Sequence, residues 1–274
     1  MGFNTEALGV WTEPFEFKVE RERTVAYANA TNDRIAEHAN GELAPPVFAI
    51  VPVFEGMLKP VLDVVPHDLI PFVVHGEQDM VFHRPIVPGM SLVSRAKATG
   101  YASKSSGTTL SVRIETRTAE GDLVNEQWMV SFFRGVPAGD SAGEMAPSHT
   151  LAATGDPVAE VVQHVDDDQT FRYAEASGDP MPIHLDAEFA KAAGLPGIIA
   201  HGLCTMAFTS QAVISSVAAG DPSRLKRLAV RFSKPVLPGE DVTTKIFDLG
   251  GGAYGFESTT PGGIVIKDGL AEIG

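Results

Sequence analysis

The sequence has one cysteine, Cys204, so it holds no disulfide and no cysteine metal cluster. That usage suits a reducing compartment, the cytoplasm. Positive charge is scarce: 21 Lys and Arg stand against 35 Asp and Glu, a net charge of −14. Such a chain is poorly suited to nucleic acid or an anionic membrane. No apolar run reaches membrane-span length without a proline or a charge. The first residues, MGFNTEALGVWTEPFEF, lack a basic start and an apolar core, so no secretory leader is expected. Gly2 has no Ser or Thr at position 6, and the final residues AEIG are no peroxisomal address. The eight histidines form neither an HExxH motif nor a Cys/His cluster, so no metal is expected.

What is present is apolar enough to fold. Hydrophobic residues make up 44% of the 274, and the mean hydropathy is +0.04, which supports a real core and argues against disorder. The sequence also repeats itself. Tyr27 to Asp33 reads YANATND and Tyr173 to Asp179 reads YAEASGD; Phe82 to Leu92 reads FHRPIVPGMSL and Phe232 to Val242 reads FSKPVLPGEDV. Between these marks each half holds an apolar helical candidate. After them come alternating strand patterns: 110–116 and 127–133 in the first half, 242–247, 254–258 and 264–266 in the second. Each half therefore reads as an α+β unit, a sheet curled over one helix. The expected boundaries are 1–137, a Gly/Ser/Pro/Ala-rich exposed linker over 138–150, and 151–274.

The chemistry concentrates in Tyr173 to Phe208, YAEASGDPMPIHLDAEFAKAAGLPGIIAHGLCTMAF. Asp179 and His184 lie five apart on a segment that Pro180 and Pro182 keep from being helical. An apolar helix then opens at His201-Gly202 and runs to about Ala219, its first-turn N–H groups lacking intrahelical partners. A buried Asp–His pair is commonly structural, and most helix starts bind nothing. The three features together point to an acid–base site acting on a carbonyl compound. In the first half the matching helix, 46–65, is interrupted by Pro52 and Pro60 and has no glycine at the place of Gly202. Asp33 and His38 are also five apart and read as remnants or surface residues, with Asp33 capping a turn. Phe48, Phe54, Met57 and Leu58 would line the room that the broken helix leaves open. Arg224, Lys226, Arg227, Arg231 and Lys234 form a basic cluster that is either a phosphate-binding site or a solvated strand face.

SGDPMPIHLDAEF followed by HGLCT resembles the hydratase 2 motif of MaoC-like (R)-specific enoyl-CoA hydratases. VVHGEQDMVFHRPIVPG is similar to the hydratase 2 domain of peroxisomal multifunctional enzymes. The resemblance spans nearly the whole chain. It implies a double hotdog with one live site, and an enzyme that hydrates trans-2-enoyl-CoA to (3R)-3-hydroxyacyl-CoA or runs in reverse. It implies Asp179 and His184 as the catalytic pair and Gly202 as the glycine whose N–H binds the thioester oxygen. It places His75, Gly76, Lys104, Pro180, Met181, Pro182, Ile183 and Phe232 against the acyl-CoA. No cofactor is implied, since coenzyme A is part of the substrate. The chain departs from the family at Met181, where an asparagine is usual. An acyl-carrier-protein dehydratase, a thioesterase and a non-catalytic acyl-CoA binder stay open as alternatives, and a homodimer is plausible from the open sheet edges.

Overall fold

A computed structural model describes residues 2–151 and 155–274. Eleven strands and six α-helices alternate in two matching runs. The first half contains β1 (Phe15–Lys18), α1 (Arg21–Ala30), α2 (Ala36–Ala39), α3 (Lys59–Val64), β2 (Val73–Phe82), β3 (Ser91–Lys104), β4 (Gly107–Thr118) and β5 (Leu123–Arg134). A two-residue strand, β6 (Ala142–Gly143), lies in the join. The second half follows with β7 (Ala159–His164), α4 (Gln169–Ser177), α5 (Ala187–Ala192), α6 (Gly202–Val217), β8 (Leu225–Phe232), β9 (Asp241–Gly250), β10 (Ala253–Thr260) and β11 (Gly263–Ile273). Among the described residues no helix is long and apolar enough to cross a membrane.

The two curled sheets expected from the sequence are continuous. The order is β1-β3-β4-β5-β2-β8-β11-β10-β9-β7, all antiparallel, and the halves join edge to edge where β2 pairs with β8. The register there sets Glu77 opposite Arg231. Arg231 Nε lies 2.9 Å from Glu77, and Arg227 Nη2 lies 2.7 Å from Asp79. Opposite charges facing each other across a strand pair favour this register. The finding takes Arg227 and Arg231 out of the candidate phosphate site. Arg227 also holds Glu272, Arg231 also holds Asp268, and Arg224, Lys226 and Lys234 donate to main-chain carbonyls.

Each half-sheet covers a buried apolar segment. In the second half this is α6, whose Leu203, Met206, Phe208, Val213 and Ile214 are buried on several faces at once. A helix apolar nearly all round has to be interior. It ends at Val217, two residues short of the expected end, and Gly220 follows in the left-handed region. In the first half the equivalent segment is a 3₁₀ helix, Pro46–Val53, with Pro52 inside it. Proline removes an amide donor, so the segment breaks into short turns before α3, as expected. Phe48 and Met57 are fully packed while Leu58 faces outward, so the four residues expected to line an acyl space form no common wall.

The join 137–149 is exposed for most of its length, but it is not free. β6 pairs with β3 at Gly100 and Tyr101, and buried His149 donates Nδ1–H to the Asp268 carbonyl at 2.6 Å. At the centre α1 packs against α4. There the Tyr27 and Tyr173 hydroxyls meet at 3.1 Å, both side chains fully enclosed. These two residues hold matching places in the repeat, so they mark an approximate two-fold axis between the halves.

Candidate active site

The segment that carries the site begins where α4 stops. Gly178 takes φ +83°, a left-handed cap that any Cβ would disfavour, and its N–H closes on the Ala174 carbonyl. Asp179 leaves the helix half-buried. Its Oδ1 accepts the Met181 N–H at 3.2 Å, fixing the carboxylate by a short turn. Met181 itself is 49% exposed, so its main chain, not its side chain, orders the carboxylate. The departure from asparagine therefore leaves this anchor intact. Pro182 then starts a single 3₁₀ turn, Pro182–His184, and Asp186 caps α5 behind it with bonds to Glu188 N and Phe189 N.

His184 is 7% exposed. Its Nδ1 lies 2.8 Å from the Ile199 carbonyl. A carbonyl only accepts, so Nδ1 carries the proton and, in the neutral ring, Nε2 keeps a lone pair. Burial disfavours the imidazolium and holds the His184 pKa below the usual histidine value, against the opposing pull of Asp179. The same burial raises the Asp179 carboxyl above the usual aspartate range, against the pull of His184. Two groups whose environments push their ionisation in opposite directions are fitted to exchange a proton.

The helix mouth closes the site. Ala200 N–H bonds to the Val236 carbonyl at 2.8 Å, which ties the chain entering α6 to the loop after β8. His201 is the N-cap, with φ −62° and ψ 136°, and Gly202 is the first helical residue. Its N–H has no acceptor among the described residues, as the first-turn geometry requires. A Cβ built on Gly202 would stand 3.2 to 3.3 Å from three atoms of the Phe232 ring. Glycine thus gives clearance to the Phe232 ring here rather than an unusual φ. Phe232, at the end of β8, is met edge-on by His75 from β2, ring centroids 5.0 Å apart. Burial lowers the His75 pKa to about 4. Gly76 lies at the bulge that follows in the β2–β5 ladder. Thus Asp179, His184, Gly202, Phe232, His75 and Gly76 gather near one place. Pro180 and Pro182 are exposed along the loop, and the Ile183 carbonyl receives the Ile199 N–H. Lys104 stands apart, exposed at the β3–β4 hairpin.

One participant escaped the sequence reading. The His201 ring, 2% exposed, stacks on His184 with centroids 3.7 Å apart and planes at 26°. The dipeptide His201-Gly202 stood out as a helix start, but nothing in spacing alone aims the ring back at residue 184. Donor atoms of Asp179, His184 and His201 all lie within 4.8 Å of one another, a span a metal ion could bridge. The geometry does not favour one. Nearly parallel stacked rings send their lone pairs side by side rather than to a common point, and His201 Nε2 is already engaged with the Asp179 carbonyl at 3.2 Å.

The first half shows what the site loses. Ala44 N–H bonds to the Ile86 carbonyl as Ala200 does to Val236, so Pro45 and Pro46 stand where His201 and Gly202 stand. Proline has no N–H, and the helix-mouth donor disappears. Asp33 caps a turn at Ile35 N as expected, but it is no surface residue. It and His38 are buried and bonded directly to each other at 2.7 Å; His38 Nε2 has no partner among the described residues, but it is enclosed, so burial rather than pairing keeps it from a substrate.

An acid–base pair beside a helix mouth, within sheets that each cover a central segment, defines a hotdog-type hydro-lyase. Comparison with known proteins agrees. Residues 150–260 match the MaoC like domain, and residues 6–127 match the FAS1-like dehydratase domain region. The chain is 31% identical over 206 residues to "Probable enoyl-CoA hydratase 2" of Dictyostelium discoideum, covering 73% of this chain and 69% of that one. It is 28% identical over 292 residues to "3-hydroxyacyl-thioester dehydratase Y" of Mycobacterium tuberculosis, 99% of each. The fold matches a crystal structure of a MaoC-like dehydratase from Phytophthora capsici with a TM-score of 0.89 at 23% identity, over 99% of this chain and 98% of that one. The chain belongs to the MaoC-like family of enoyl-CoA hydratases of type 2.

Proposed function

We propose that this protein is an (R)-specific 2-enoyl-CoA hydratase that adds water to trans-2-enoyl-CoA and catalyses the reverse dehydration. The observation that carries the reading is that Asp179 and His184 keep one oxygen and Nε2 without a partner among the described residues, within 4.8 Å of each other, while the Gly202 N–H that follows His201 is also unpartnered. The reaction needs a base for water, an acid for C2 and a donor for the thioester oxygen. The His184 lone pair takes a proton from water as its oxygen attacks C3. The double-bond electrons move toward the thioester, and Gly202 N–H stabilises the enolate oxygen. The Asp179 carboxyl delivers a proton to C2. A proton then passes from His184 to Asp179, a short distance, and the pair is reset. No cofactor enters, since coenzyme A is part of the substrate.

The half 151–274 supplies the chemistry, and 1–137 supplies His75 and Gly76 beside the substrate. Pro180, Met181, Pro182, Ile183 and Phe232 border the acyl-CoA, and Lys104 reaches its phosphates. The enzyme works in the cytoplasm as a homodimer formed through an outer sheet edge, β1 or β7. A thioesterase on this fold would draw its carboxylate from the central helix, and α6 contains no Asp or Glu. The test is direct. With trans-2-decenoyl-CoA the enzyme should erase the enoyl-thioester ultraviolet band and yield the (3R) product without releasing thiol. Free thiol, or an unchanged band, would refute it. Sedimentation at assay concentration tests the dimer.

A further inference from the structure

His201 touches Asp179 and His184 and leads into the helix mouth without reaching solvent. Its Nε2 lies 3.2 Å from the Asp179 main-chain carbonyl, its ring covers the His184 ring at 3.7 Å, and its peptide bond leads directly into Gly202. Its own carbonyl accepts the Cys204 N–H at 3.0 Å and the Thr205 N–H at 3.1 Å, closing the first turn of α6. Behind it the Tyr173 ring packs at 4.8 Å, and Tyr173 bonds to Tyr27 from the other half. Four rings thus form a continuous row from the first half to the reactive histidine.

We infer that His201 is a positioning residue that, as a neutral ring protonated on Nε2, locks the Asp179 loop to the helix mouth and fixes the plane of His184. The tautomer follows from the partners. The carbonyl can only accept, so Nε2 bears the hydrogen. His201 Nδ1 is buried with no hydrogen-bond partner among the described residues, an arrangement that tolerates a lone pair far better than a charge-bearing N–H. Burial, with repulsion from His184, keeps the ring neutral, its pKa lowered to about 3. The two stacked histidines therefore carry their protons on opposite nitrogens: His184 on Nδ1 and His201 on Nε2. At 2% exposure His201 cannot touch substrate, so its effect passes through the residues it holds.

The inference rests on the hydratase reading, and its test separates the two. If the wild-type protein does not hydrate decenoyl-CoA, the functional reading fails. If it does, two variants decide. His201→Phe keeps a ring on His184 but removes the donor to Asp179. It should lower kcat by about 10²-fold, the cost typical of roughly 1 Å of misplacement, while KM changes by less than about threefold. His201→Gln restores an amide donor and should recover about tenfold of that loss. A His201→Phe variant with wild-type kcat, or a loss that His201→Gln does not relieve in folded protein, overturns the inference. Imidazole nitrogen NMR of the wild-type protein gives a check independent of variant folding. It should show one neutral ring protonated at Nδ1 and its stacked partner at Nε2. A shared tautomer, or a charged His201 at neutral pH, also overturns it.

Discussion

The first half already contains the substitution that most sharply tests the helix mouth. Pro46 occupies the place of Gly202, so Gly202→Pro would give the second half the mouth of the first. The helix should tolerate it. Proline is favoured at the first helical position, and the residue before it must be extended, as His201 already is with ψ 136°. Two penalties overlap in this variant, and Gly202→Ala separates them. Alanine keeps the N–H but sets a methyl 3.2 to 3.3 Å from the Phe232 ring. Overpacking costs about 1–3 kcal/mol of stability, and a half-buried ring that can tilt belongs at the low end, about 1 kcal/mol, read from the thermal melt. Phe232→Leu should recover most of that. Proline adds the loss of one donor to a developing oxyanion, about 10²–10³ in rate, or about 2.7–4 kcal/mol. The assay is kcat and KM for decenoyl-CoA hydration, with a thermal melt on each variant. If folded Gly202→Pro protein keeps more than about a tenth of the Gly202→Ala rate, the Gly202 N–H is not the stabilising donor and the reasoning is wrong.

Further outcomes follow from the same geometry. Asp179→Asn and His184→Ala should each abolish measurable turnover without altering circular dichroism; retained turnover in either would remove that residue from the chemistry. The acid limb of kcat/KM should lie below pH 6.5, the ordinary histidine value, because burial depresses the folded-state pKa of His184 and the neutral base survives to lower pH. A limb at or above 6.5 would contradict this. Stability should be at its plateau above pH 6.5 and fall as pH drops toward about 4, since buried His75 and His201 resist charging while their unfolded forms do not. Urea midpoints across that range measure it, and flat midpoints would count against buried neutral rings. Asp79→Ala leaves Arg227 facing Asp79's emptied place at the β2–β8 seam. Glu272 still holds Arg227, so the loss should be about 2 kcal/mol in urea unfolding, and a loss under about 1 kcal/mol would mean the pair does not hold the halves together.

Much of this was legible in residues 173–208. Proline spacing, the Asp–His interval and an apolar run starting at glycine are local signals, and local backbone rules act on them directly. The paired tyrosines of the repeat were visible too, although their meeting was not. Only a two-fold arrangement brings equivalent residues near its axis into contact with each other. The pairing of Arg227 and Arg231 within the basic run 224–234 was not legible, because charge in sequence carries no information about which carboxylates the sheet register brings within reach. Asp33 and His38 misled, since two side chains five apart can either face a cleft or bond to each other. Backbone rules within a few residues thus determined the loop of Asp179 and His184, the helix start and the division into halves. Packing between distant strands and helices decided the continuous sheet, the ion-paired Arg227 and Arg231 and the stacked His201, because those contacts depend on register and symmetry that no short window of sequence contains.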